Sequence, residues 1–418
     1  MSLLLRFSLC ALGLATIAAA KNYVITVAAP AEERVAQVVT IKLPAEAPET
    51  VRLRAASGET LPLQAAAEGT ARFVIPTQVA GARLEFSLES AGMTPDDVTV
   101  ARRPDGLHIA ATVRTPLNIV GGSAPLTVAG GSAVVTYRTD KDALPRADID
   151  PKYKRAGYLH PLRTPAGHVV TGDYPTNHIH HHGIWSPWTK TQFQGRKPDF
   201  WNMQDRTGTV EFDRIGRTWS GPVHGGFMAH HRMVDLSAPT PTTALNEAWE
   251  VTFYPVRGAA RPLHVIDLVI TQTCATADAL FLPQYHYGGL GLRGRDEWNG
   301  KANLILLTSD GATDRVKANA QRMRWCYLGG AVEGGAVAGV AVLDHPENFR
   351  APQPVRVHPD MPYLSVTPSQ LGDWAIEPGK PYVARYRFIA FDGAPDRALL
   401  DAAWAAYATP VKVTIEAR

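Results

Sequence analysis

Short runs in which every second residue is apolar recur along most of this chain, separated by turns. Residues 80–90 (AGARLEFSLES) carry Leu84, Phe86 and Leu88 on one side and charged or small residues on the other. That is the pattern of a strand with one buried face. Residues 23–27, 38–41, 51–53 and 72–76 are similar runs of β-branched and aromatic residues, bounded by turn formers. The same grammar continues at greater length over 107–113, 133–137, 248–254, 263–273 and 382–391. One segment has helical periodicity instead: in 396–407 (DRALLDAAWAAY), Leu399, Leu400, Ala403, Trp404 and Tyr407 share a face, with Asp396 as N-cap. Strands do not alternate with helices, so a doubly wound α/β fold is excluded.

The pattern predicts an all-β protein. Residues 21–95 form a small β-sandwich-like module, with a boundary in the GMTPDDV stretch near residues 92–98. Residues 96–418 form a large antiparallel β-sandwich, and a short helix lies near its end. Residues 1–20 stand apart. Arg6, an apolar run over 7–17 and a closing Ala18-Ala19-Ala20 read as a secretory signal peptide. The residues before Cys10 are not those of a lipid-modified cysteine. The expected location is therefore the periplasm or the medium, with no stable membrane insertion once the leader is cleaved. The apolar run is also shorter than the roughly 20 residues a spanning helix requires.

Composition narrows the partners. The whole chain has 42 basic and 39 acidic residues, and removal of Arg6 leaves 41 against 39, a net charge of +2. Such balance gives no electrostatic footprint for nucleic acid. Of the three cysteines, Cys274 and Cys326 lie beyond the leader; their spacing fits either a disulfide or two buried thiols.

Histidine carries the chemistry. His178, His180, His181 and His182 fall within five residues. Read as an extended segment, His178, His180 and His182 point one way and His181 the other. The first three then make a candidate set of ligands for a divalent metal ion. Around them lie Tyr158, Asp199 and the tryptophans Trp185, Trp188 and Trp201. Flat aromatic faces and hydroxyl-binding polar groups together suit a saccharide. A second constellation, 284–293 (QYHYGGLGLR), offers His286 and Arg293 beside glycines that permit close backbone approach. It lacks the spacing of a dinucleotide fingerprint. A third, Asp344 and His345 before Asn348, places an acid beside a base. No nucleophile elbow, H-E-x-x-H helix, P-loop or paired C-x-x-C is present.

These segments resemble a known bacterial family. The run RAGYLHPL from Arg155, TGDYP from Thr171, HIHHHGIW from His178 and DFW from Asp199 are similar to the motifs of the PmoA-like ("methane oxygenase") family. Trp325-Cys326, GVAVLDHP from Gly339 and YRFIAFDG from Tyr386 extend the likeness to about residues 22–408. The resemblance implies a large domain similar to the β-supersandwich of sugar mutarotases, and members that occur in glycan-degrading bacteria. Where many members carry a histidine after the DFW block, this chain has Glu211.

The reading that follows is an exported carbohydrate-active enzyme with a small-molecule or oligosaccharide ligand, acting as an isomerase, lyase or hydrolase. His181 and His286 would move protons, with Asp344 and His345 as further catalytic candidates. Trp185 and Trp201 would stack the sugar, Arg293 would anchor it, and Tyr158 and Asp199 would complete the binding set. Two other classes remain open. A metal-dependent oxidoreductase or hydrolase would use His178, His180 and His182, and a non-catalytic glycan-binding protein would use the tryptophans.

Overall fold

The structure, a computed structural model, describes residues 22–45, 51–90, 97–103, 106–111, 133–186 and 188–418. The leader over 1–20 and most of the expected boundary near 92–98 lie outside the described residues. Among the described residues, no helix is long and apolar enough to cross a membrane.

The large domain is an all-β sandwich of two antiparallel sheets. One has eight strands, in the order Gly208–Trp219, Gly225–Asp235, Thr242–Val256, Leu263–Cys274, Tyr382–Asp392, Val337–Asp344, Trp325–Ala331 and Leu304–Thr308. The other has nine, with Tyr363–Val366, Leu290–Arg293, Ile184–Trp185, Tyr158–Leu162 and Ala133–Arg138 adjacent through its middle. Inward residues of both sheets interdigitate as one core. Trp249, Phe253, Leu268 and Phe388 come from the eight-stranded sheet, and Leu159, Ile184, Leu292 and Leu364 from the other. Such two-sheet packing is the usual way for half-apolar strands to bury one face. Both cysteines are free thiols. Cys274 donates to the Ile376 carbonyl at 3.1 Å, and Cys326 is buried, which pushes its thiol up to about 12.

The small module packs two sheets of its own around Ile25, Leu53, Phe73, Ile75 and Phe86. It also takes in a strand from the far end of the sequence. The distant strand Val413–Ala417 leaves the large domain and pairs with Tyr23–Val27, in the register Tyr23↔Ala417 to Val27↔Val413. The module docks through Val35 and Ala36 against Tyr254, Val265 and Ile389 on the eight-stranded sheet. Arg387 bonds Asp267 at 2.6 and 2.8 Å and donates to the Ala36 carbonyl at 3.1 Å. The helix Arg397–Ala408 completes this layer. Asp396 caps it by accepting from the Leu399 N–H at 3.1 Å, and Arg34 reaches back to the Ala405 carbonyl.

The opposite surface positions the site. Because side chains alternate along a strand, the residues next to the core set turn outward. Tyr158, Trp185 and Tyr363 form a separate aromatic cluster with Tyr174, Trp201 and Met361 on the outer face of the nine-stranded sheet. Trp185 is fully buried there because its strand neighbour is Gly291, where a Cβ would stand 2.9–3.0 Å from the indole ring.

Candidate functional site

The histidine segment is not a strand. Two successive turns fold it, closed by the His178 N–H on the Pro175 carbonyl at 3.1 Å and the His181 N–H on the His178 carbonyl at 2.8 Å. Tyr174, with φ +47°, reverses the chain just before them. The expected alternation is overturned accordingly: His178, His180 and His181 gather on one side, and His182 points away. Ring centroids lie 5.6 Å apart for His178 and His180, 4.9 Å for His178 and His181, and 4.7 Å for His180 and His181.

His182 belongs to the support beneath. Its Nδ1 meets Asp173 Oδ1 at 2.7 Å, its ring stacks on Tyr158 at 4.3 Å, and Tyr158 donates to Asp173 Oδ2 at 3.3 Å. Burial raises the Asp173 carboxyl, but its bond to His182 and the neighbouring charges outweigh that and hold it below the ordinary value. Burial lowers His182, so the pair is a carboxylate accepting from a neutral imidazole. The candidate metal set of His178, His180 and His182 is therefore not assembled. No group of three histidine, cysteine or acidic side chains among the described residues is arranged to hold a metal ion.

What the turns do build is a cavity of about 180 Å3, lined by His178, His180, His181, Thr189, Trp201, Asn202, Tyr285, Tyr287 and Met361. That is smaller than the roughly 300–1,000 Å3 of pockets for drug-sized ligands, and suits one small ring. Desolvation keeps the imidazoles uncharged. It lowers His178, takes His180 to about 3 and sets His181 well below the ordinary value. His358, 6.3 Å from His178 between ring centroids, is lowered to about 4 for the same reason. Three buried polar atoms of the lining have no protein partner: His178 Nδ1, His181 Nδ1 and Trp201 Nε1. Buried polar groups are nearly always paired, so these three are exceptions clustered in the residues that line the cavity.

The predicted residues sort into three groups. His181 and Trp201 line the cavity. Trp185, Tyr158 and Arg293 are buried behind it; Trp185 lies 5.5 Å from His181 and 5.8 Å from Trp201 between centroids. Asp199 acts from one step away. Its Oδ1 accepts from the N–H groups of Trp201 and Asn202, and its Oδ2 from Thr189 Oγ1 and Asn202 Nδ2. All four of these carboxylate bonds go to lining residues. The third group lies elsewhere. His286 is exposed between Tyr285 and Tyr287, both of which line the cavity. Asp344 and His345 border a different cavity, about 170 Å3 beside Arg324 and Trp404, at the end of a strand of the eight-stranded sheet. Burial raises Asp344 to about 6, against hydrogen bonds from Asn348 and the Gln353 N–H. Glu211 pairs with Arg232 at 3.0 Å on the surface. Thr189 and Met361 carried no sequence signal, whereas Tyr285 and Tyr287 lay inside a segment already singled out and Asn202 directly follows the DFW block.

Fold and site together describe an antiparallel β-sandwich protein with a histidine- and aromatic-lined pocket on one sheet. The chain belongs to a family of unknown function (DUF6807), whose model matches residues 126–405. No curated protein matches it. Among solved structures it is similar to an alpha-mannosidase from Enterococcus faecalis V583, with a TM-score of 0.41 and 10% identity over 95% of this chain and 46% of that one. It is also similar to a protein in the glycosyl hydrolase family 38 from Enterococcus faecalis, with a TM-score of 0.34 and 9% identity over 95% and 47%. The chain thus spans less than half the length of each.

Proposed function

We propose that this is an exported carbohydrate-active enzyme that binds a single sugar unit in the histidine pocket and moves a proton on it. The observation that carries this reading is the pairing of neutral imidazoles with open aromatic faces in one small cavity. Trp201, Tyr285 and Tyr287 offer stacking surfaces, while Thr189, Asn202 and the histidine nitrogens take hydroxyls. His181 is the proton-transferring group. It is buried, uncharged and backed by Trp185 and Tyr363, and becomes an effective base once a bound ligand's charge or hydrogen bonds favour its protonated form. His180 is next to it and shares the same state.

No carboxylate belongs to the lining set. A glycosidase with paired carboxylates flanking the scissile bond is therefore a poorer fit than an isomerase or lyase. The export assignment rests on the leader-like residues 1–20.

The test is proton exchange in heavy water. The purified protein is incubated with a panel of monosaccharides and short oligosaccharides and followed by NMR. Sugar-dependent exchange, epimerisation or elimination is expected, and His181→Ala should lose it by about 10²–10⁴-fold. Saturable sugar binding without turnover would mean a glycan-binding protein. Absence of both would overturn the reading.

A further inference from the structure

Arg293 sits under the histidine cluster with most of its hydrogen-bonding capacity unused. It occupies the outward position of its strand, opposite Tyr363, and its side chain is fully buried. Only Nη2 is engaged, with Asp296 at 2.9 Å, Asn299 at 3.2 Å and Asn177 at 3.4 Å. Nε and Nη1 are buried without a protein partner. A guanidinium cannot shed its proton in a protein, so these are two permanent donors carrying positive charge. The one acidic partner, Asp296, is about half exposed and offsets that charge only through solvent-screened contact.

The rest of the surroundings have the same bias. The charge of Arg293 acts on His178, His180, His181 and His358 together, and all four are held neutral. A second guanidinium, Arg356, lies over the Tyr287 ring at 5.3 Å and donates to its hydroxyl at 3.4 Å. Trp201 Nε1, buried and unpartnered in a lining residue, can only donate. The lining contains no acidic side chain to answer these groups. The nearby carboxylates Asp173 and Asp199 have their oxygens turned to His182 and Tyr158, and to Thr189, Asn202 and Trp201.

We infer that the sugar this pocket takes is an acidic one, a uronic acid or other carboxylated saccharide, with its carboxylate directed toward the Arg293 side of the histidine cluster. This rests on the saccharide reading and narrows it. Arg293 lies behind the lining residues, so a carboxylate in the cavity answers its charge across the histidine cluster, which a neutral sugar hydroxyl cannot do.

The experiment is calorimetric titration of the full chain with the methyl glycosides of glucuronate and galacturonate. The methyl glycosides of glucose and galactose, and acetate, are titrated in parallel. Each uronide differs from its neutral parent only at C6, so their ratio isolates the carboxylate. At least tenfold tighter binding of a uronide than of its parent is expected. Arg293→Gln, checked for an intact thermal transition, should reduce that ratio to near one. Equal binding of both would overturn the inference and leave the saccharide reading standing. Acetate binding as tightly as the uronides would keep the anion site and overturn the saccharide reading. No binding by any of the five would overturn both. Should Arg293→Gln not fold, the wild-type ratio still decides, and Arg293→Lys, which keeps the charge, should keep the ratio.

Discussion

Two buried histidines of this protein live in opposite circumstances. His231 lies between the two large sheets in a chain of bonds that leaves nothing over. Its Nε2 meets Tyr137 Oη at 2.5 Å and its Nδ1 meets Glu247 at 3.0 Å. Glu247 accepts from Gln272 at 2.6 Å, and Gln272 accepts from Trp188 Nε1 at 2.8 Å. His181 is as deeply buried, yet its Nδ1 has no protein partner and its neighbours are other imidazoles and a half-used guanidinium. A saturated polar network ties two sheets together and specifies how they pack. An unsaturated one costs stability, and a protein retains it where something else completes it. Partner saturation, more than residue type, separates structure from function here.

The largest effect should come from breaking the saturated side. Glu247→Ala strands His231 and Gln272 in the core. It is expected to lower the unfolding free energy by about 3–5 kcal/mol, measured by denaturant titration, whereas Glu247→Gln, which keeps a hydrogen-bonding group, should cost about 1–3 kcal/mol. A loss below 1 kcal/mol for Glu247→Ala would show that the network is not a brace.

On the unsaturated side the balance reverses. His181→Ala should abolish ligand binding or turnover while costing less stability than Glu247→Ala, about 1–3 kcal/mol from lost ring packing, since no hydrogen bond to its ring is lost. A variant that unfolds without altering ligand affinity would place His181 with the structural histidines.

Acidity sharpens the contrast. Burial sets His180 at about 3 and His358 at about 4, below the 6.5 of a free imidazole. Between pH 6.5 and 4 the unfolded chain therefore takes up protons that the folded cluster refuses. Stability present above pH 6.5 drains as pH falls, by up to about 1.4 kcal/mol per unit for each fully excluded histidine. His180→Gln should make that slope shallower in a series of pH-dependent denaturation curves. An unchanged slope would mean the cluster protonates freely.

The smallest effect belongs to Glu211, whose exposed pair with Arg232 should be worth less than about 1 kcal/mol. Glu211→Ala should leave ligand affinity unchanged. A large loss of affinity would bring this strand into the site.

The strand grammar was legible because period-two burial is written locally. Thr242–Val256 and Leu263–Cys274 bury their alternate residues as the sequence alone suggests, and the Asp396-capped helix lies where its periodicity places it. The site was legible only in composition. The HIHHH run and DFW block mark its position, but its geometry depends on two turns and the reversal at Tyr174, whose positive φ no residue preference announces. His286 is exposed, while Tyr285 and Tyr287 on either side of it line the cavity. Asp344 and His345 carried a convincing local motif, yet which sheet a motif lands on is a long-range matter that spacing does not encode.

The pairing of Tyr23–Val27 with Val413–Ala417 bears on how the chain comes to be folded. The small module cannot finish its outer sheet from neighbouring sequence; its inner strand waits for one that arrives only after the whole large sandwich has been traversed. Closing so long a loop is slow rather than prohibitive, since closure entropy grows only with the logarithm of length. Until then the open edge of Tyr23–Val27 offers unpaired backbone to any other extended segment. The five residues Val413–Ala417 thus cover the edge of Tyr23–Val27, and become the outermost strand of that sheet themselves.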